Sequence, residues 1–172
     1  MLISPPQKTD FGFYNAYVFR EQEKDLITAL SDNWNDLKAL AAGLTEEQLS
    51  YRYDTGKWSI KEIFVHFIDA ERNFNYRVMR ISRGDQAPLP MYDIHQFIMN
   101  AHAAERPFAN IMQELELIRK ATITMYEGMH PSMLEKTGPA RDVTVTVRAI
   151  AFATVGHVMH HLDIIHERYL KN

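Results

Sequence analysis

The sequence predicts an all-α chain folded as a four-helix bundle with short extra helices, one domain over residues 1–172. Three observations predict it. Four long stretches repeat apolar residues at three- and four-residue steps, the period of a helix with one buried face. Glycine, 7 in the chain, falls mostly between those stretches. The β-branched run at 143–147 finds no second strand to pair with and reads as an extended lead-in to the last helix.

Residues 1–12 read as an irregular lead-in. The first long helix is expected over 19–44, with Leu26, Ile27, Leu30, Trp34, Leu37, Leu40 and Ala41 on its stripe and Gly43 at its stop. Thr45-Glu-Glu-Gln48 has the form of a capping box opening a short turn. After a loop at 51–57, a second helix over 59–82 carries Ile60, Ile63, Phe67, Ala70, Phe74, Val78 and Ile81; Gly84, Pro88 and Pro90 end it. Asp93 caps a short helix over 93–104. Pro107 suits the first turn of a third long helix over 107–129, with Ile111, Leu115, Ile118 and Met125 inside. His130-Pro131 and Gly138-Pro139 break the chain before the last helix, over 146–170.

Composition narrows the function. Apolar residues make up 46% and charged residues 24%, which is globular usage. There are 0 cysteines, so disulfides, thiolate metal sites and a cysteine nucleophile are excluded. Any metal must be held by His, Asp or Glu. The net charge of -3 and the lack of a Lys/Arg block argue against nucleic acid as a partner. Arg72, Arg77, Arg80 and Arg83 read as a solvated helix edge. No apolar run is long enough to span a membrane and no signal-peptide pattern opens the chain, so a cytoplasmic location is expected.

The histidines carry the chemistry. His157 and His161 stand four apart on the last helix, hence one turn apart on one face. With His157 at the origin of a helical wheel, the apolar stripe centres near about 80° and His161 lies inside it, near about 40°. His160 falls near about 300°, beside Asp163 and Glu167, and is expected to face out. On the second helix His66 sits at the stripe edge with Asn73 and Arg77. An inward imidazole pair, met by a third from a facing helix, has the form of a metal site with open coordination positions. His95, His102, His130 and His166 lack that placement and read as surface or boundary residues. Phe152, Met159 and Leu170 form a second stripe near about 200–220°, which is expected to face out and could pair subunits.

At the level of motifs the chain resembles a known family. Trp58-Ser-Ile-Lys-Glu-Ile-Phe-Val-His66-Phe-Ile-Asp69-Ala-Glu71-Arg72 is similar to the W-S-x-K-E-x-x-x-H-x-x-D-x-E-R signature of the DinB-like superfamily. Gly156-His157-Val-Met-His160-His161 resembles its C-terminal G-H-x-x-H-H segment. Tyr76-Arg77, Arg80 and Arg83-Gly84-Asp85 with Pro88-Leu-Pro90 resemble its second-helix exit. The resemblance implies an up-down-down-up bundle, a homodimer, and a divalent metal, zinc or nickel, held by His66, His157 and His161. It also implies chemistry on small electrophiles, as in thiol S-transferases that use low-molecular-weight thiols such as bacillithiol and in mycothiol-dependent isomerases.

The leading expectation is therefore a metal-dependent enzyme acting on a small molecule, by thiol transfer or by hydrolysis. Asp69, Glu71 and Arg77 are the candidates to orient the ligands, since a carboxylate accepting an imidazole N–H sets the ring's tautomer. The competing reading is a non-catalytic module of a stress response that binds metal or a small ligand.

Overall fold

The computed structural model describes residues 2–7, 11–88, 91–140 and 143–170. Four long helices dominate: α2 (Leu26–Ala42), α4 (Ile60–Ser82), α6 (Phe108–Glu127) and α8 (Val147–Ile164). Four short helices accompany them: α1 (Asn15–Val18), α3 (Glu46–Ser50), α5 (Ile94–Asn100) and α7 (Pro131–Leu134). Each long helix except α6 opens on a side chain that accepts a backbone N–H: Asp25, Ser59 and Thr146. Such caps satisfy amides that the first turn leaves unpaired. Thr45 and Asp93 cap α3 and α5 as expected, Thr45 in a full capping box. Pro90 lies outside the described residues.

Contacts give the topology. α2 and α4 sit on one diagonal, each packed against α6 and α8. Phe64 meets Phe108 and Asn75 donates to Thr122, so α4 and α6 are parallel. Just before α4 the Trp58 carbonyl accepts from Tyr169, while Phe74 further along meets His157, so α4 and α8 are antiparallel. Arg119 donates to the Leu30 carbonyl, and Leu37 shares an apolar cluster with Leu115, so α2 and α6 are antiparallel. Leu26 clusters with Val147 and Leu40 with Leu162, so α2 and α8 are parallel. The helices thus run up, down, down, up.

Two apolar clusters fill the bundle. One gathers Leu26, Leu30, Val78, Tyr126 and the first half of α8; the other gathers Leu37, Phe64, Phe67, Ile111, Leu115 and Leu162. Between them lies a layer of buried polar residues that every long helix feeds: Asn33, Glu71, Arg119, Thr122 and His157. This layer positions the site.

The structure corrects three expectations about the elements. The run at 143–147 does have a partner. β1 (Thr137–Ala140) and β2 (Val143–Thr146) form an antiparallel hairpin, with Thr137 opposite Thr146. Its first strand hides behind Gly138-Pro139, which reads as a break. Glycine is required there because a Cβ would lie 2.6 Å from Ile81 Cγ1. The first long helix starts at Leu26, not at 19, because Asp25 caps it and the preceding segment turns away into α1. The short helix expected over 93–104 stops at Asn100, and His102 takes a left-handed φ of 49° before a separate turn at Ala103–Glu105.

The outward stripe of α8 is covered by the chain itself. Phe152 is fully buried, Met159 and Leu170 are half-buried, and α1 packs along α8. Gly156 permits that approach, since a Cβ would lie 2.0 Å from the Tyr17 carbonyl oxygen. Among the described residues no helix is long and apolar enough to cross a membrane.

Candidate metal centre

Two antiparallel helices bring the histidines together. α4 carries His66 and α8 carries His157 and His161 one turn apart, so the three rings meet across one helix pair. His66 Nε2 lies 3.0 Å from His157 Nε2. One nitrogen from each of the three rings lies within 4.8 Å of the other two. Ring centroids are 4.7 Å apart for His157 and His161, 4.9 Å for His66 and His157, and 5.1 Å for His66 and His161.

Aromatic rings enclose the cluster. Trp58 lies against His66, Phe67 against His157 and His161, and Phe74 and Tyr17 against His157. Removal from water disfavours the charged imidazole. Burial pushes the His66 ring down to about 4 and the His161 ring down to about 3. It holds His157 well below its ordinary value, helped by repulsion from His161 and His66. All three rings are neutral at pH 7, the form in which imidazole binds a metal.

The cluster forms the wall of a cavity of about 210 Å³. α4 lines it with His66, Ala70, Asn73, Phe74 and Arg77, a continuous stripe of one face. Met91, Tyr92 and Ile94 close a second side, and Phe13, Tyr14 and Tyr17 a third.

The expected ligand-orienting residues separate. Glu71 points away from the histidines: it receives Arg119 Nε and Nη2 at 2.9 and 2.8 Å and the Thr122 hydroxyl at 2.6 Å. Its place on α4, five residues after His66, turns it roughly 140° around the helix toward α6. Asp69 is half-buried beside Gln96, Phe97 and Asn100, and burial raises its pKa. Arg77 lines the cavity and is 3% exposed, unlike the solvated edge expected of it. Among the described residues no carboxylate accepts a hydrogen bond from any of the three rings.

His160 is corrected as well. It is half-buried, lines the cavity and packs against Tyr17 and His161, because α1 covers the side of α8 that the wheel assigns to solvent. His95, His102, His130 and His166 are exposed as expected. The wall built by Phe13, Tyr14 and Tyr17 is missed by periodicity. A signal was present in the aromatic density of the lead-in, where Phe11, Phe13, Tyr14, Tyr17 and Phe19 crowd one short segment.

Residues 29–165 match the family model described as DinB superfamily. The chain belongs to the DinB superfamily. All three clustered histidines lie within the matched DinB region, whereas the wall from Phe13 to Tyr17 lies before it. A curated relative from Geobacillus thermodenitrificans, named "Putative metal-dependent hydrolase", is 27% identical over 126 residues, covering 72% of this chain and 71% of its own. Among solved structures, the DinB fold here is similar to YfiT from Bacillus subtilis, described as a probable metal-dependent hydrolase with an unusual four-helix bundle topology. The TM-score is 0.76 at 16% identity, over 95% of this chain and 90% of that one. At that identity the likeness is one of fold.

Proposed function

We propose that this chain is a divalent-metal-dependent hydrolase of small molecules, with the ion held by His66, His157 and His161. The observation that carries the reading is the convergence of three neutral imidazoles, from two antiparallel helices, on the wall of an aromatic-lined cavity. The donor set fits. A tetrahedral ion with metal–nitrogen bonds of about 2.0–2.1 Å spaces its ligand nitrogens by about 3.3 Å. The nitrogens here lie within 4.8 Å of one another, with His66 Nε2 and His157 Nε2 at 3.0 Å, close to that spacing. An all-imidazole site suits zinc or nickel. Three protein ligands leave an open position, as catalytic zinc sites do. Bound there, a divalent ion supplies Lewis acidity, acidifying water and polarising an electrophile.

The remaining groups of the cavity belong to the chain. Trp58, Phe67 and Phe74 exclude bulk water from the ligand nitrogens. Asn73, Arg77, Tyr92 and His160 are the polar groups left to bind or orient a substrate. The name of the curated relative supports hydrolysis as the reaction type.

Elemental analysis of purified, tag-free protein tests the site, with about one zinc or nickel ion per chain expected. A panel of esters, amides and lactones, assayed with and without added bacillithiol or glutathione, tests the reaction. Turnover that needs the metal and ignores the thiol supports hydrolysis. An absolute thiol requirement replaces hydrolysis by thiol transfer, and metal uptake without turnover replaces the enzyme by a binding module.

A further inference from the structure

Arg77 is a buried cation whose charge no described residue answers. Its Nε donates to Asn73 Oδ1 at 2.9 Å, and Nη2 lies 3.7 Å from the Met91 sulfur. Nη1 is buried without a hydrogen-bond partner among the described residues. An amide oxygen and a thioether are neutral acceptors. Nearby arginines differ: Arg72 pairs with Glu114, Arg80 with Asp85 and Arg119 with Glu71. A guanidinium stays protonated in proteins, so Arg77 has no route to relief by losing its charge. An uncompensated buried charge is costly, and it is tolerated where a ligand supplies the counter-charge.

The placement points to that ligand. Arg77 lines the same cavity as the three histidines. Its bond to Asn73, one turn back, shows the side chain leaning toward the N-terminal end of α4, and so toward His66. Seven residues separate Asn73 from His66, about 10 Å along the axis. Phe74, Tyr14 and Tyr92 line the same cavity. A cavity of about 210 Å³ suits a small organic molecule.

We propose that the cleft takes a small carboxylate. Arg77 binds the carboxyl group through its planar fork, and an apolar or aromatic body lies along Phe74 and Tyr92. The group to be transformed then lies about 10 Å away, beside His66, His157 and His161. A carboxylate suits the cavity better than a phosphate dianion, because one guanidinium supplies one positive charge among mainly aromatic walls.

This inference deepens the hydrolase reading and shares its cavity, but its test does not require the ion. Phenylacetate and its neutral amide, phenylacetamide, are titrated into chelator-stripped and zinc-loaded full-length protein, with binding followed by NMR chemical shifts. The stripped protein removes direct ligation of the carboxylate to zinc as a cause. Wild type is expected to bind the acid about tenfold or more tightly than the amide in both states, the scale of a charged hydrogen bond. Arg77→Gln is expected to abolish the preference while leaving zinc uptake unchanged, and Arg77→Lys to retain part of it. Equal affinity for acid and amide in the stripped wild type overturns the proposal, as does binding of neither. A preference that survives Arg77→Gln also overturns it. Should that variant not fold, the stripped wild type and Arg77→Lys decide. Acid preference without zinc uptake sinks the metal reading alone; zinc uptake without acid preference sinks this one alone.

Discussion

The polar layer of the bundle has two halves, and α4 serves both. On the side of α6, Glu71 takes Arg119 and Thr122, while the second terminal nitrogen of Arg119 reaches the Leu30 carbonyl and Asn33 Oδ1. Charge meets charge, and every guanidinium nitrogen has a partner. On the side of α8, three imidazoles share one nitrogen–nitrogen contact, and Arg77 keeps an unpaired Nη1 among the described residues. Both halves are buried. Burial of polar groups is therefore not what marks the site. The mark is that these groups line one cavity and that the charge there meets no counter-charge, whereas the unpartnered Tyr126 hydroxyl and Asn75 Oδ1 on the side of α6 are neutral.

The largest expected effect lies in the closed half. Glu71→Ala leaves Arg119 charged and buried, which should cost about 3–5 kcal/mol in denaturant unfolding. Replacing Glu71 and Arg119 together by methionine should recover most of that loss. A loss under about 1 kcal/mol for Glu71→Ala would mean that this half is open to water, and the contrast would fail.

Acid should act on the other half. In the metal-free protein the unfolded chain takes up protons below its ordinary histidine value of 6.5, while folded His66 refuses one until about 4 and His161 until about 3. Stability is then full above pH 6.5 and falls as pH drops through that window. At pH 4, His66 alone should account for about 3 kcal/mol, measured by urea titration at several pH values. A flat profile from pH 7 to about 4 would show these rings to be solvated.

Metal loading should sharpen the comparison further. Zinc at a hundredfold excess over its Kd should stabilise the wild type by about 2.7 kcal/mol. His161→Ala should lose that gain and most of the bound metal. His160→Ala should keep both, despite its place on the cavity wall. Equal metal retention in the two variants would remove His161 from the ligand set. The smallest effect concerns the cavity's third side. Gly156→Ala forces α1 away from α8 and should cost about 1–3 kcal/mol, with weaker phenylacetate binding but undiminished zinc uptake.

Some of this was legible in the residues and some was not. The apolar periods of the four long helices and the Thr45 and Asp93 caps are local, and both caps stand where the sequence places them. The histidine pair follows from helical spacing, and His66 from its stripe edge. Glu71 and Arg77 illustrate the limit. Both sit on α4 and both are buried, yet the first is closed by Arg119, a residue 48 positions away, and the second is not. No local pattern distinguishes them, because the answer lies in the partner helix. The β1–β2 hairpin is not legible locally, because its first strand is a glycine-proline segment without strand character. Phe152 is buried and His160 half-buried on the side of α8 that a helical wheel assigns to solvent, because α1 packs along it.

Taken alone, the sequence determined the helical architecture and the three histidines, since apolar period, capping and the i,i+4 relation act within one helix. The tertiary structure decided which charges are answered. It also brought the aromatic lead-in over α8 to make a wall, and made Arg77 part of the cavity. Those outcomes depend on which helix faces which, a matter of packing between segments distant in the chain.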